Sequence, residues 1–343
     1  MRRGTALAPA FSVVIPTRNR EAILDETLSA LLRAAPTTGA LFEVVVVNDG
    51  DADLGQLPQR FPGLVLRVLR NAGRGAAAAR NTGAAAARHE LLLLLDDDIL
   101  VGADNLARHA RAQARFPRAL VSGVARLPER LVEEARRSAF GRYKLRHDYG
   151  LDNATRLEAL GEGLYRVAGV ASFNLSVPRA DFLSVGGFDA RFPFAGCEDT
   201  ELCFRARGGG LDTLLDAENV CFHNELDRLA PRPWLQRQYT GIQGGVLIAQ
   251  LYPEGQRHPL YRANTPPARE DSIGLVLRKT LIAGLRLGPT PGLLLGLARV
   301  LERLRLPDAA LFKLYDLLFL LHTANGFRAA QRRLASGAPL ATV

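Results

Sequence analysis

The run Leu91–Asp98, reading LLLLLDDD, constrains this chain more than any other feature. A strand on the surface of a sheet alternates apolar and polar residues, whereas five consecutive leucines leave no polar face. They call for a strand buried on both sides, as in a parallel sheet covered by helices, and such sheets hold ligands just beyond the carboxyl ends of their strands. Asp96, Asp97 and Asp98 stand at that place. Hard divalent ions such as Mg²⁺ or Mn²⁺ take carboxylate oxygens and keep positions open for phosphate, so the triplet points to a metal–diphosphate site. A solvated strand-to-loop junction leading into a helix cap is the competing reading, and neighbouring motifs must decide.

The pattern recurs along the first hundred residues. Strands are expected at Phe11–Pro16, Phe42–Val47, Leu64–Leu69 and Leu91–Leu95, with helices at Glu21–Ala35 and Gly75–Arg88. Repeated β–α alternation gives a mostly parallel sheet flanked by helices, and then all four strand ends face one rim. Those ends are Thr17-Arg18-Asn19, Asn48-Asp49-Gly50-Asp51, Asn71-Ala72-Gly73 and the aspartates. Further on, a helix is expected at Ala103–Phe116, a strand at Ala119–Ala125 and a charged helix at Glu129–Leu145. A polar excursion then runs from Arg146 to Gly163, with Asp148, Asp152 and Asn153 in it. Strands near Tyr165–Ala171 and before Pro178, a helix at Glu198–Ala206 stopped by Gly208-Gly209-Gly210, and a short strand Asn219–Phe222 ending at His223 complete this part. Beyond Asp227 the patterns are helical, with Pro- and Gly-bearing joints. This divides the chain into an α/β domain over 1–227 and a helical region over 228–343.

Composition removes several classes. With 343 residues, 48% of them hydrophobic, the chain buries a large core and is neither disordered nor a small disulfide scaffold. Cys197, Cys203 and Cys221 are odd in number and lack CxxC spacing, which fits free thiols in a reducing compartment better than a zinc site. The segment from Met1 to Phe11 lacks the apolar core of a signal peptide, and Leu281–Val300 is interrupted by Arg286, two prolines and Arg299. A cytoplasmic location is therefore expected, free or peripheral on the cytoplasmic face of a membrane. The formal net charge of +9 favours an anionic partner, but the basic residues are scattered and acidic strand ends would repel a nucleic-acid backbone.

Asp49 repeats the leucine-run arrangement within VVVVNDGD, where a carboxylate at a strand end can accept hydrogen bonds from a ribose or a base. Asn-Asp-Gly is equally an ordinary turn. Gly73-x-Gly75-x-x-Ala78 matches the relaxed dinucleotide fingerprint, and Asp96 lies 18 residues past Ala78, so an NAD(P)-dependent oxidoreductase competes. Against it, that fingerprint normally opens its domain, and a dinucleotide site has no use for three aspartates. Glu198 and Asp199 open a helix, where acids are common caps, yet a carboxylate there also serves as base for a hydroxyl nucleophile. His223 is a lone histidine at a strand end, either packed or a ligand.

In order, IPTRN at 15–19, VNDGD at 47–51, NAGRGAAAARNTG at 71–83, LLDDD at 94–98, GVASFNLSVPRADFLSVGGFDARF at 169–192, CEDTELCFR at 197–205 and FH at 222–223 resemble family-2 glycosyltransferases with a GT-A fold. The resemblance spans about residues 10–226. It implies that Thr17, flanked by Pro16 and Arg18, and Asp49 contact the nucleoside of a nucleotide-sugar donor, with Gly73, Arg74 and Arg80 nearby. It further implies Asp96 on ribose or sugar, Asp98 on a divalent Mn²⁺ or Mg²⁺, Asp97 sharing either role, Asp199 as base beside Glu198, and His223 as an additional metal ligand. Members of the family invert anomeric configuration. The Gln-x-x-Arg-Trp element of processive synthases is absent, since Trp234-Leu-Gln236-Arg237 places similar residues in another order. Transfer of a single sugar is therefore expected, from a UDP-linked donor to a carbohydrate, lipid-linked or other hydroxyl acceptor in glycoconjugate synthesis. The helical tail packs on the catalytic domain, pairs subunits as a homodimer, or rests on an anionic membrane.

Overall fold

The computed structural model describes residues 10–37, 41–147, 158–192, 196–225, 229–257, 259–285 and 290–340. Asp148, Asp152 and Asn153 of the polar excursion lie outside them. The first elements follow the expected β–α order: β1 (Phe11–Thr17), α1 (Glu21–Ala34), β2 (Phe42–Asn48), α2 (Leu57–Arg60), β3 (Leu66–Arg70), α3 (Gly75–Ala86) and β4 (Leu91–Leu95). Then come β5 (Ile99–Val101), α4 (Asn105–Arg115), β6 (Ala119–Arg126), α5 (Glu129–Arg136), α6 (Ala139–His147), β7 (Glu158–Gly161), β8 (Leu164–Arg166), β9 (Asn174–Pro178), α7 (Arg179–Ser184), α8 (Glu198–Gly208) and β10 (Asp212–His223). The remainder is helical: α9 (Pro231–Leu251), α10 (Pro259–Asn264), α11 (Ile273–Leu285), α12 (Thr290–Arg303) and α13 (Asp308–Ala335). Among the described residues no helix is long and apolar enough to cross a membrane.

The strands form one sheet in the order β3-β2-β1-β4-β9-β6-β10-β8-β7, with β5 pairing β10 off this path. The half β3-β2-β1-β4 is parallel throughout, while β9 runs antiparallel to both β4 and β6. The pleat explains the leucine run. Leu93 and Leu95 join Val13, Ile15, Val44 and Val46 in one core, against Leu24, Leu28 and Leu31 of α1. Leu92 and Leu94 join Val14, Val45 and Val47 in the opposite core, against alanines of α3 and Leu202 of α8. Both faces of β4 are covered, and Leu92–Leu95 are fully buried.

β5, β7 and α7 are additional to the expected elements, and three expected elements differ in extent. The last strand runs from Asp212, not Asn219, because a bulge interrupts its periodicity: pairing with β6 shifts register between Leu215 and Val220. Asp216 organises the bulge by accepting the N–H groups of Glu218 and Asn219 at 3.1 and 3.2 Å. The expected helix Glu129–Leu145 is two helices, α6 starting afresh after Ser138, whose hydroxyl accepts the Gly141 N–H at 2.9 Å as an N-cap does. The expected strand Tyr165–Ala171 contributes only Leu164–Arg166 to the sheet.

The chain divides into two compact units, one of 1–128, 151–190 and 198–225, the other of 129–150, 191–197 and 226–343. In the second, Phe140, Tyr143, Trp234 and Tyr315 form an aromatic centre with ring centroids 5.1 to 6.0 Å apart. Arg142 clamps Asp308 with two bonds of 2.7 Å. Gly326 lets α13 press on α9, since a Cβ there would stand 2.2 Å from the Tyr239 carbonyl oxygen.

Candidate active site

Alternation carries past the end of β4 and parts the aspartates. Asp96 meets Arg80 of α3, whose Nη2 donates to Oδ1 at 2.5 Å. The other arm of the same guanidinium lies 3.4 Å from Glu198 at the start of α8, and its Cζ sits over the Phe188 ring, 5.3 Å from the centroid. Arg80 is only 3% exposed. A guanidinium so deep in the protein persists because two carboxylates face it, and it ties the β4 end to the α8 start.

Asp97 turns toward α1. Its carboxylate accepts the Thr17 hydroxyl at 2.7 Å and Arg20 Nη1 at 2.8 Å, while its carbonyl accepts the Thr27 hydroxyl at 2.7 Å. Burial pushes the Asp97 carboxyl up to about 6, against the pull of Arg20. Asp98 shares Arg20 through Nη2 at 3.3 Å, and Glu225 takes the same nitrogen at 3.3 Å. The Asp98 carbonyl accepts the Asn224 N–H at 2.7 Å, which fixes the segment after β10 beside the aspartates.

That closure brings His223, the last residue of β10, to the acids: its Nε2 stands 3.7 Å from Asp98 Oδ1. Asp96, Asp98 and His223 each offer one ligand atom, and these atoms all lie within 4.8 Å of one another. Two carboxylates and an imidazole form a donor set suited to Mn²⁺, and to Mg²⁺ through the oxygens. Asp97, turned to α1, is not in this group.

Asp199 follows Glu198 on the first turn of α8. Its Oδ1 accepts the Thr200 N–H at 2.7 Å. Burial and the neighbouring Glu198 charge push the Asp199 carboxyl up to about 7, with Arg80 pulling the other way. Such a group takes a proton near neutrality, as a general base requires.

Across the rim, Asp49 accepts the Gly75 N–H at 3.0 and 3.1 Å on its two oxygens and the Asn71 amide at 2.6 Å. Gly75, with φ of +83°, opens α3 there. Gly73 packs against Ala78, where a Cβ would come within 2.8 Å. Arg74, the N-cap residue of α3, and Arg18, just past β1, are exposed, whereas Pro16 is buried within β1. Arg20 and Glu225 belong to the aspartate cluster although no sequence motif marks them. Arg20 had one signal, an arginine three residues past a buried strand end, but its partners lie 77, 78 and 205 positions away in sequence.

The dinucleotide alternative loses its footing here. Gly73–Ala78 follows β3, the edge strand of the sheet, rather than the central strand that opens a mononucleotide-binding half.

Residues 12–163 match the family model described as Glycosyl transferase family 2. Validoxylamine A glucosyltransferase from Streptomyces hygroscopicus subsp. limoneus is 34% identical over 238 residues, covering 64% of this chain and 52% of that protein. Its counterpart from subsp. jinggangensis strain 5008 is 34% identical over 240 residues, covering 64% of this chain and 56% of that one. The chain thus spans about half the length of the curated relatives it matches. Among solved structures, the mannosyltransferase PcManGT from Pyrobaculum calidifontis, in complex with GDP-Man and Mn²⁺, superposes with a TM-score of 0.60 at 19% identity, covering 92% of this chain and 87% of that one. At that identity the likeness is one of fold.

Proposed function

The chain belongs, through residues 12–163, to glycosyl transferase family 2 on a GT-A fold, and from that premise we propose that it moves a single glycosyl group, with inversion, from a nucleotide-diphosphate sugar to an acceptor hydroxyl. The donor is UDP-linked and the product a glycoconjugate. The observation that carries this proposal is the convergence of Asp96, Asp98 and His223 within 4.8 Å, with Arg80 bridging Asp96 to Glu198, the neighbour of Asp199.

Asp98 and His223, with Asp96, would hold Mn²⁺ or Mg²⁺, and a cation there would neutralise the departing diphosphate. Thr17, Asp49 and the exposed Arg18 and Arg74 line the rim on which the nucleoside and its phosphates would lie. Arg80, spent on Asp96 and Glu198, orients those carboxylates rather than gripping the donor. Asp199 accepts the proton of the acceptor hydroxyl as its oxygen bonds to the anomeric carbon. The bond from that carbon to the phosphate oxygen breaks, and its electron pair leaves on the diphosphate. Attack opposite the leaving group inverts the centre with no covalent enzyme intermediate.

The curated relatives are named validoxylamine A glucosyltransferase, which supports a glucosyl group as the one transferred here. A donor screen reading released nucleotide, over UDP- and GDP-sugars with Mn²⁺ or with EDTA, tests the proposal. Nucleotide release with a UDP-sugar, abolished by EDTA, supports it; binding of NAD without turnover of any nucleotide sugar defeats it.

A further inference from the structure

The charge of the chain is divided unevenly. Residues 229–343 hold 15 of the 44 Lys and Arg but only 6 of the 35 Asp and Glu, so the whole formal net charge of +9 lies in that segment. Within it, helices α11 and α12 bury one side against α13: Ile282 of α11 packs with Leu321 and Ala324, and Leu295 and Ala298 of α12 pack with Leu311 and Leu318. Their other sides are apolar and exposed. On α11, Ile273, Leu277 and Leu281 recur every four residues at 81, 65 and 58% exposure. On α12 and its C-terminal turn, Leu293, Leu297, Val300 and Leu304 recur at spacings of four, three and four residues, at 67, 45, 51 and 67%. These seven are the majority of the twelve exposed large hydrophobics among the described residues. Scattered apolar residues need no explanation, but two aligned stripes do.

Within α11, α12 and the turn after α12, the exposed charged residues are all basic. Arg278, Arg299, Arg303 and Arg305 are exposed. Of the acids near them, Glu302 accepts the Ala139 N–H at 2.5 Å and Asp271 is held by Lys279 at 2.6 Å and Arg262 at 3.5 Å, while Glu270, ahead of α11, is exposed. An exposed apolar stripe bordered by arginines matches the boundary of an anionic bilayer, where acyl chains take the leucines and headgroup phosphates take the guanidinium groups. A second copy meets these features poorly, because a two-fold interface would set arginine against arginine. Helices of 13 and 14 residues are too short to span a bilayer and lie in its plane.

We propose that the α11–α12 face docks on an anionic phospholipid surface, with the leucine stripes in the acyl boundary. This stands apart from the glycosyl-transfer proposal. The full chain is mixed with vesicles of phosphatidylcholine alone or with about 30% phosphatidylglycerol and floated, and its mass is measured by light scattering without lipid. Flotation with the anionic vesicles only, reduced by salt and not by soluble glycerol phosphate, is expected. Leu277→Asp combined with Leu297→Asp should weaken partitioning at least about tenfold. Arg299→Glu should weaken it about fivefold or more, with unchanged circular dichroism, and it serves as the readout should the leucine variant fold poorly. Absence of flotation at low salt overturns the proposal, as does a dimer that Leu277→Asp dissociates.

Discussion

Strand β2 passes from Val44–Val47 into Asn48, Asp49 and Gly50, and β4 from Leu92–Leu95 into its aspartates; both flank β1 in parallel register. Their ends are used differently. Asp49, half-buried next to the edge strand β3, is satisfied by neutral donors, the Gly75 N–H and the Asn71 amide. The β4 aspartates lie at the sheet centre between β1 and β9, and they are answered by Arg20 and Arg80. A carboxylate near water needs only acceptor geometry, whereas clustered acids in a dry setting need countercharge to stay ionised. The countercharges then decide where those acids point.

If the centre of the sheet is where the chemistry lies, its substitutions must outweigh those at β2. Asp199→Asn should lower turnover about 10³-fold with donor binding retained, since it removes the proposed base and keeps the shape. In the wild type, kcat/KM should rise as pH passes through about 7 and level off above it, because the proposed base, Asp199, must be deprotonated to accept a proton. Linkage gives a second sign. An aspartate that is at about 7 when folded, but ordinary when unfolded, adds stability fully present below about pH 4 and lost as pH rises through about 7. Urea midpoints of Asp199→Asn should therefore gain on the wild type across that range; a parallel pair of curves would place the carboxyl in water.

Next in size, Arg80→Met leaves Asp96 and Glu198 facing each other without their cation, and should cost about 3–5 kcal/mol in urea unfolding. Arg20→Met, removing a guanidinium whose side chain is 30% exposed, should cost less, about 1–3 kcal/mol. Asp49→Ala gives up hydrogen bonds to neutral donors and should cost about 1 kcal/mol, seen chiefly as a higher KM for the donor. An Asp49→Ala loss as large as that of Arg80→Met would erase the distinction between the two strand ends.

Much of this organisation is legible in the chain itself, because burial on two faces and acids at strand ends leave local traces. Leu91–Leu95 can only be a covered strand, and the strand-end acids share a rim once the strands are parallel. Arg20 and Glu225 leave no such trace, since an arginine after a strand and a glutamate after a histidine acquire meaning only when β1, β4 and β10 end side by side. The first half of β10 is hidden by its own bulge, because Asp216 breaks the period by serving the backbone of Glu218 and Asn219. The seam between α5 and α6 rests on one hydroxyl, that of Ser138, inside an otherwise helical pattern.

The central claim, that the β4 aspartates with His223 form a cation-dependent nucleotide-diphosphate site, is tested most directly by calorimetry of UDP binding with Mn²⁺ or EDTA, in the wild type and in Asp98→Asn. Binding by the wild type with Mn²⁺, lost with EDTA and weakened at least about tenfold in the variant, is the predicted result. Equal UDP affinity in all four arms would contradict it.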